Sequence, residues 1–391
     1  MQQHIDFGPL AQAVQDVKIT DIVINNIGKV WVDYGHGMRE YQPPIPLSTP
    51  EIVREYAVQL FAQLGKRLDN ACPIADAATQ AGVRVHAVIS PIVAQGAAIS
   101  IRIPRNTHNT LQNLFQQYMF PEQWLLVLRS LLYKKANIII TGSTGAGKTT
   151  LLRALLEQCD VNERIIAVEE VRELGSVLRE NAVSLIVREK NVEGAGEVTL
   201  SQLVKATLRM RPDRIILGEC RGEEIADVLR AFSSGHRGGI VTMHANSVQA
   251  VPARLISLGL LAGVTPQTVS ALSAEAFNVI LHLENNQGRR IIREIGVLSY
   301  ENQQLLGKRV AIWDGKHTPK QGELWKQFAK QWVENSLQDY SSMLHFPIQN
   351  EKSDKPFPQQ YLSQSDTNDD YDLDTLTSIP VIESKHSVTT L

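Results

Sequence analysis

No stretch of this 391-residue sequence approaches the ~18 consecutive apolar residues of a membrane-spanning helix; the apolar run around Ile138 to Ile140 falls far short. The opening MQQHIDFGPL lacks the basic-then-apolar order of a secretory signal. These absences lead to the expectation of a cytoplasmic protein. Cysteine is scarce: Cys72, Cys159 and Cys220 are far apart and never form C-x-x-C. That excludes a disulfide framework and a tetracysteine zinc site, and leaves free buried thiols as the expectation. Also missing is a basic run with interleaved aromatics, which argues against direct nucleic-acid binding.

What is present is an ordinary globular composition, 43% hydrophobic and 20% charged, long enough for two domains. The net charge of −2 is unevenly spread. From Phe346 to Leu391, three lysines face eight acids, a net of −5 that leaves +3 for the rest. This tail, centred on SQSDTNDDYDLDT, has no periodic apolar positions with which to offset its ordering entropy, so a disordered segment is expected over 346–391.

Ahead of the tail the pattern changes twice. DIVINNIGKVWVDYGHGM alternates apolar and polar residues around Asn-Asn and Gly-His-Gly, which predicts short antiparallel strands. TPEIVREYAVQLFAQLG predicts a helix with Thr49 as N-cap, Pro50 at the first position, and Ile52, Val53, Tyr56, Leu60 and Leu64 on one face. GVRVHAVISPI and GAAISIRIP predict a second strand pair. Together they form an α+β domain over 1–105, followed by a polar linker over 106–120. From 121 to 300 apolar strands (IIITG, RIIAVEE, SLIVREK, RIILGE, GGIVTMHA, AFNVILHLE) alternate with helical stretches, as in an α/β domain with an open, mostly parallel sheet. A helical extension is expected over 301–345, with Trp325, Phe328, Ala329, Trp332, Val333, Leu337 and Tyr340 on one stripe, packed on its own domain or docking a partner.

IIITGSTGAGKTTLL contains G-x-x-x-x-G-K-T from Gly142 to Thr149, between a strand and a helix. Glycines at Gly142, Gly145 and Gly147 let backbone approach a phosphate; N–H groups from Ser143, Thr144, Gly145, Ala146, Gly147, Lys148, Thr149 and Thr150 then point at its oxygens. Lys148 reaches the β- and γ-phosphates, and the Thr149 hydroxyl ligates Mg²⁺ carried by ATP. Hydrolysis also needs an acid to orient water. Glu169 and Glu170 follow one apolar strand and Glu219 another, at the carboxyl ends where ligands bind in such sheets. For Glu169 a surface charge is an equal alternative, and Glu219 is the better candidate for the base. His236 and His244 flank the next strand, as γ-phosphate sensors or structural residues. Arg221 follows Glu219, and Arg209, Arg211 and Arg214 are dense beside a strand, either solvated or offered to a neighbouring subunit's phosphate.

GSTGAGKTTLL, AVEEVREL, LRMRPDRIILGECRGEE and SSGHRGGIVTMHANS resemble, in order and spacing, the Walker A, Asp-box, Walker B and His-box motifs of the type II/type IV secretion traffic ATPases, over about residues 10 to 300. NVEGAGEVTLSQLVKATLRMRPDR and VHAVISPIVAQGAAISIR are most similar to the branch that powers Tad (Flp) pilus assembly, also associated with conjugal transfer. The resemblance implies a homohexamer of RecA-like motor domains using ATP and Mg²⁺, each with an N-terminal domain that closes over the nucleotide, working on inner-membrane platform proteins with peripheral association to that membrane. It also implies that Arg84 and Arg102 stand near the nucleotide. The chain departs from the family pattern at Glu170, usually aspartate, at Arg237, where an acid is common, and in its acidic tail. A conjugative DNA-export ATPase, a RecA-like nucleic-acid translocase and a regulatory nucleotide-binding module are the alternatives.

Overall fold

The protein is described by a computed structural model that covers residues 5–25, 28–35, 37–79, 81–104, 110–174, 180–188, 196–286 and 288–334. By its internal contacts the chain divides into Met1–Met343 and Leu344–Leu391. The expected disordered tail lies outside the described residues.

The first part opens with a short helix, α1 (Ala11–Gln15), and builds one antiparallel sheet. Its strands are β1 (Asp21–Ile24), β2 (Val30–Asp33) and β3 (Met38–Tyr41), then, after helix α2 (Pro50–Gln63), β4 (Ile74–Ala78), β5 (Arg84–Ile89) and β6 (Ala97–Arg102). The order across the sheet is β3-β2-β1-β6-β5-β4. Helix α2 starts where its sequence says, with the Thr49 hydroxyl accepting from Ile52 N at 3.4 Å. Its buried stripe is rotated from the expected one: Val53, Ala57, Leu60 and Phe61 face the sheet, and Ile52 is 42% exposed. Strand β4 carried no sequence signal because its IADAA segment buries no residue fully on either face.

In the segment read as a polar linker, Leu111 and Leu114 are buried in helix α3 (Leu111–Gln116), capped by Thr110 Oγ1 at 3.1 Å from Asn113 N. Helix α4 (Glu122–Tyr133) then leads to the second sheet. Its elements are β7 (Ile138–Gly142), α5 (Lys148–Glu157), β8 (Ile165–Glu169), β9 (Ala182–Ile186), α6 (Leu200–Thr207), β10 (Arg214–Leu217), α7 (Ile225–Ser233), β11 (Ile240–Met243), α8 (Val251–Leu261), α9 (Pro266–Ala276), β12 (Val279–Asn286), β13 (Arg289–Glu301), β14 (Gln304–Ile312), β15 (Lys320–Gln321) and α10 (Trp325–Trp332). The strand order is β15-β14-β13-β12-β7-β11-β10-β8-β9. From β12 to β9 all neighbours run parallel; from β12 to β15 they alternate.

The alternation of side chains along β7 divides the core into two layers. Ile138 and Ile140 join Trp124, Leu128 and Phe328 on one face. Ile139 joins Leu217, Val241 and Phe277 on the other. The expected helical extension over 301–345 is corrected by β14, which extends the sheet; only Trp325–Trp332 is helical among its described residues. Phe328 and Trp332 of that helix are buried, so it packs on its own domain. Leu337 and Tyr340 lie outside the described residues. Of the three free thiols, Cys159 and Cys220 are buried and Cys72 is exposed, contrary to the expectation for all three.

Candidate nucleotide site

Every residue of β7 is buried, and the strand delivers the glycine loop to the carboxyl edge of the parallel sheet. Gly142 sits at φ +149°, and a Cβ there would lie 2.4 Å from the Leu283 carbonyl oxygen, so no other residue fits. Gly147, at φ +95°, is the left-handed N-cap of α5. The first N–H groups of α5 have no intrahelical partner and face the loop, a ready anion cradle. Ser143, Thr144 and Gly145 are exposed, Thr149 and Thr150 half-buried, and Ala146 buried. Lys148 Nζ donates to the carbonyls of Gly142 (2.9 Å) and Ser143 (3.0 Å) and lies 3.4 Å from His244 Nδ1. Burial lowers the lysine's pKa, and the nearby carboxylates of Glu219 and Glu173 oppose that.

The acids near the loop take different places. Glu219, just beyond β10, has its two oxygens 2.7 Å from Arg221 and 2.7 Å from His244 Nε2. Burial pushes its carboxyl up, but Arg221's hydrogen bond and charge, with His244 and Lys148, outweigh it and hold it below the usual carboxylate range. Arg221 also pairs with Glu170 at 3.0 Å. The turn carrying Arg221 is shaped by the buried Glu224, which accepts from Arg221 N at 2.7 Å and Gly222 N at 2.9 Å. Glu169 points elsewhere: only 2% exposed, it accepts from the N–H groups of Glu173 and Leu174 and from Ser184 Oγ, each at 2.9 Å. Burial raises its pKa against these hydrogen bonds. Glu169 therefore shapes the loop, and the carboxylate this loop presents to the glycine loop is Glu173, with Oε2 2.9 Å from Thr149 Oγ1. The Thr149 hydroxyl and this carboxylate are hard oxygen donors beside a phosphate cradle, which fits Mg²⁺.

The profile of the family described as "Type II/IV secretion system protein" matches residues 3–277. The chain belongs to that family. A protein of Mycobacterium tuberculosis named for conjugal transfer is 38% identical over 301 residues, covering 75% of this chain and 84% of its own. The type IV secretion system protein VirB11 of Brucella suis is 29% identical over 315 residues, covering 73% and 79%. Among solved structures, the ATPase DotB of Legionella pneumophila shares the fold with a TM-score of 0.51 at 18% identity, covering 78% of this chain and 80% of its own.

Within this type II/IV secretion family member, the remaining site candidates fall in different places. Arg84 and Arg102 are cross-strand neighbours on β5 and β6. Arg84 reaches the glycine loop's surroundings through an ion pair with Glu173. Arg102 is exposed and makes no ion pair among the described residues. The two histidines separate: His244 contacts Lys148 and Glu219, whereas His236 Nδ1 is 3.1 Å from the Ala231 carbonyl and its own carbonyl accepts from Asn137 Nδ2 at 3.1 Å. Asn137 precedes β7, so His236 sits at the sheet's amino edge, across its width from Lys148. Arg209 is exposed at the end of α6, on the way into β10 at that same edge. Arg214 is buried against Glu163 (2.6 Å) and the Leu132 carbonyl (2.8 Å), a structural staple. Arg237 is exposed and has no ion pair among the described residues.

Three residues at the site stand outside the motif positions named above. Arg290 Nε on β13 donates to the Gly145 carbonyl at 2.9 Å, and nothing near it in the sequence marks that role. Glu173 is marked in the sequence as a third acid four residues past Glu169 in the same box. Glu224 is an acid within the ECRGEE turn, indistinguishable in sequence from a surface charge.

Proposed function

We propose that this chain is an ATP hydrolase in which Lys148, Glu219, Arg221 and His244 act on the γ-phosphate, and that its cycle drives a pilus or secretion machine. The observation that carries the reading is the contact chain from the loop lysine through His244 to Glu219, whose carboxyl Arg221 holds below the usual carboxylate range. ATP enters the cradle of loop N–H groups, and Lys148 exchanges its two loop carbonyls for phosphate oxygens. Glu219 orients the attacking water and takes its proton. Arg221 and His244 hold that carboxylate in place. Thr149, with Glu173 beside it, would hold Mg²⁺, which would supply charge neutralisation at the phosphates.

The domains are read as 1–105, an α+β unit that closes over the nucleotide, joined by 106–120 to a RecA-like motor. Six copies form a ring, after the family resemblance, and act peripherally on inner-membrane platform proteins. The Tad-pilus reading rests on the NVEGAGEVTLSQLVKATLRMRPDR stretch. A conjugative DNA-transfer role is the second reading, favoured by the 38%-identical relative named for conjugal transfer. Purified chain is expected to hydrolyse ATP with Mg²⁺, and Lys148→Ala or Glu219→Gln to lower kcat by about 10²-fold or more. Undiminished turnover in both variants would overturn the assignment.

A further inference from the structure

Contacts within the glycine loop hold one side of it. The Lys148 ammonium meets the Gly142 and Ser143 carbonyls, and the Ala146 N lies 3.3 Å from the same Ser143 oxygen. The far side is met by Arg290. This residue stands on β13 opposite Asn285 of β12, and β12 runs beside β7 with Leu283 paired to Gly142, so the hairpin continues past the start of the loop. The Arg290 stem crosses the N-cap of α5: a Cβ on Gly147 would lie 3.2 Å from its Cδ and 3.8 Å from its Cβ. From there Nε donates to the Gly145 carbonyl at 2.9 Å, and the exposed guanidinium makes no ion pair among the described residues.

The Gly145 carbonyl and the Ala146 N–H belong to one peptide unit, which is planar and trans, so the two point in opposite directions. The loop's own packing does not hold this unit, because Gly145 sits at φ +76° with nothing within 4 Å of where a Cβ would be. An arginine that keeps the oxygen on the far side therefore turns the N–H inward, where the backbone N–H groups of such a loop receive phosphate oxygens. Its charge also polarises the peptide and makes that N–H a stronger donor. Resting on the reading of this loop as a cradle for nucleotide phosphates, we propose that Arg290 is a positioning residue for the β-phosphate: by bracing the Gly145–Ala146 peptide from β13, it sets the Ala146 N–H for the phosphate that ADP and ATP share. Arg290 touches no reacting atom in this role, so nucleotide affinity depends on it and the chemical step does not.

The test uses the full chain with Arg290→Ala, Arg290→Gln and Arg290→Lys. Kd for a fluorescent ADP analogue and for a non-hydrolysable fluorescent ATP analogue is measured beside KM and kcat for ATP hydrolysis and the thermal midpoint without nucleotide. In Arg290→Ala both Kd values and KM are expected to rise by the same factor, about tenfold, as for the loss of one charge-assisted hydrogen bond. The kcat is expected to stay within about twofold, the pattern of lost uniform binding, and the thermal midpoint to hold. Arg290→Lys, which keeps the charge, is expected to recover part of the affinity, and Arg290→Gln, which keeps a donor alone, to recover less. An unchanged Kd for the ADP analogue, a loss confined to the ATP analogue, a fall in kcat at constant KM, or a lysine variant no better than alanine each overturns the positioning role. A lowered midpoint that accompanies the affinity loss in all three variants assigns Arg290 to structure alone and overturns it too. Binding of the ADP analogue by the unmodified chain is the reference: its failure overturns the phosphate cradle itself, whereas equal binding by the unmodified chain and Arg290→Ala overturns only the role given to Arg290.

Discussion

Burial pushes the Glu219 carboxyl up, and Arg221, through its hydrogen bond and its charge, is the largest contributor holding it below the usual carboxylate range. Removing it leaves burial in command, so Arg221→Ala raises the Glu219 pKa. A base must be deprotonated to act, and the acid limb of the kcat/KM profile for ATP hydrolysis is expected to move to higher pH in this variant, with the plateau reached only in less acidic buffer. A limb that stays in place would remove Arg221 from this role. The residues to which this chemistry is assigned in the proposal were legible in different degrees. Lys148, Thr149 and Glu219 could be named because backbone geometry near a phosphate restricts what can stand there. Glu169 and Glu173 could not be told apart, since both are acids in one short box. What separates them is that Glu169 meets backbone N–H groups from the residues four and five places on, a turn that only the folded loop creates. His236 was paired with His244 on spacing alone, yet a parallel strand carries its two ends to opposite edges of the sheet.

At the scale of elements, the signals that survived were those written in local chemistry: the Thr49–Pro50 start of α2 and the strand-loop-helix around Gly142. Strand β14 was lost for a tertiary reason. Its Gly307 breaks the apolar alternation, and the glycine is there because a Cβ would lie 2.1 Å from the Val248 carbonyl oxygen. In helix α10 the first part of the expected stripe is seen, with Phe328 and Trp332 buried, and that burial makes a stability prediction. Phe328, 3% exposed, packs in the same layer as Trp124 and Ile140. Phe328→Ala is expected to cost about 3–5 kcal/mol, read from urea unfolding. The β7 layer lies beneath the glycine loop, so nucleotide affinity measured below the unfolding transition is the control that separates lost packing from a lost site.

For the whole molecule, the division between Met1–Met343 and Leu344–Leu391 carries a prediction for the acidic end of the chain. A chain that stops before Phe346 retains every residue of the contact chain around Lys148. Its ATP turnover is expected to match the full chain within about twofold, the spread of a surface change; loss of turnover would give the tail a part in catalysis. That two separate sheets exist was legible from the change of pattern near Pro104. How they meet was not, because Gly82 against Arg172 and Arg84 against Glu173 join residues about ninety positions apart. The covalent route between the sheets has a mechanical consequence of its own. After Pro104 the chain reaches Met119, whose methyl would lie 3.2 Å from a Cβ on Gly147 and whose carbonyl accepts from Ile292 N at 2.7 Å. Met119 thus fastens the connecting chain to β13 and seats it against the N-cap of the glycine loop's helix, so a residue larger than glycine at 147 would push on the joint between the two sheets as well as on the loop.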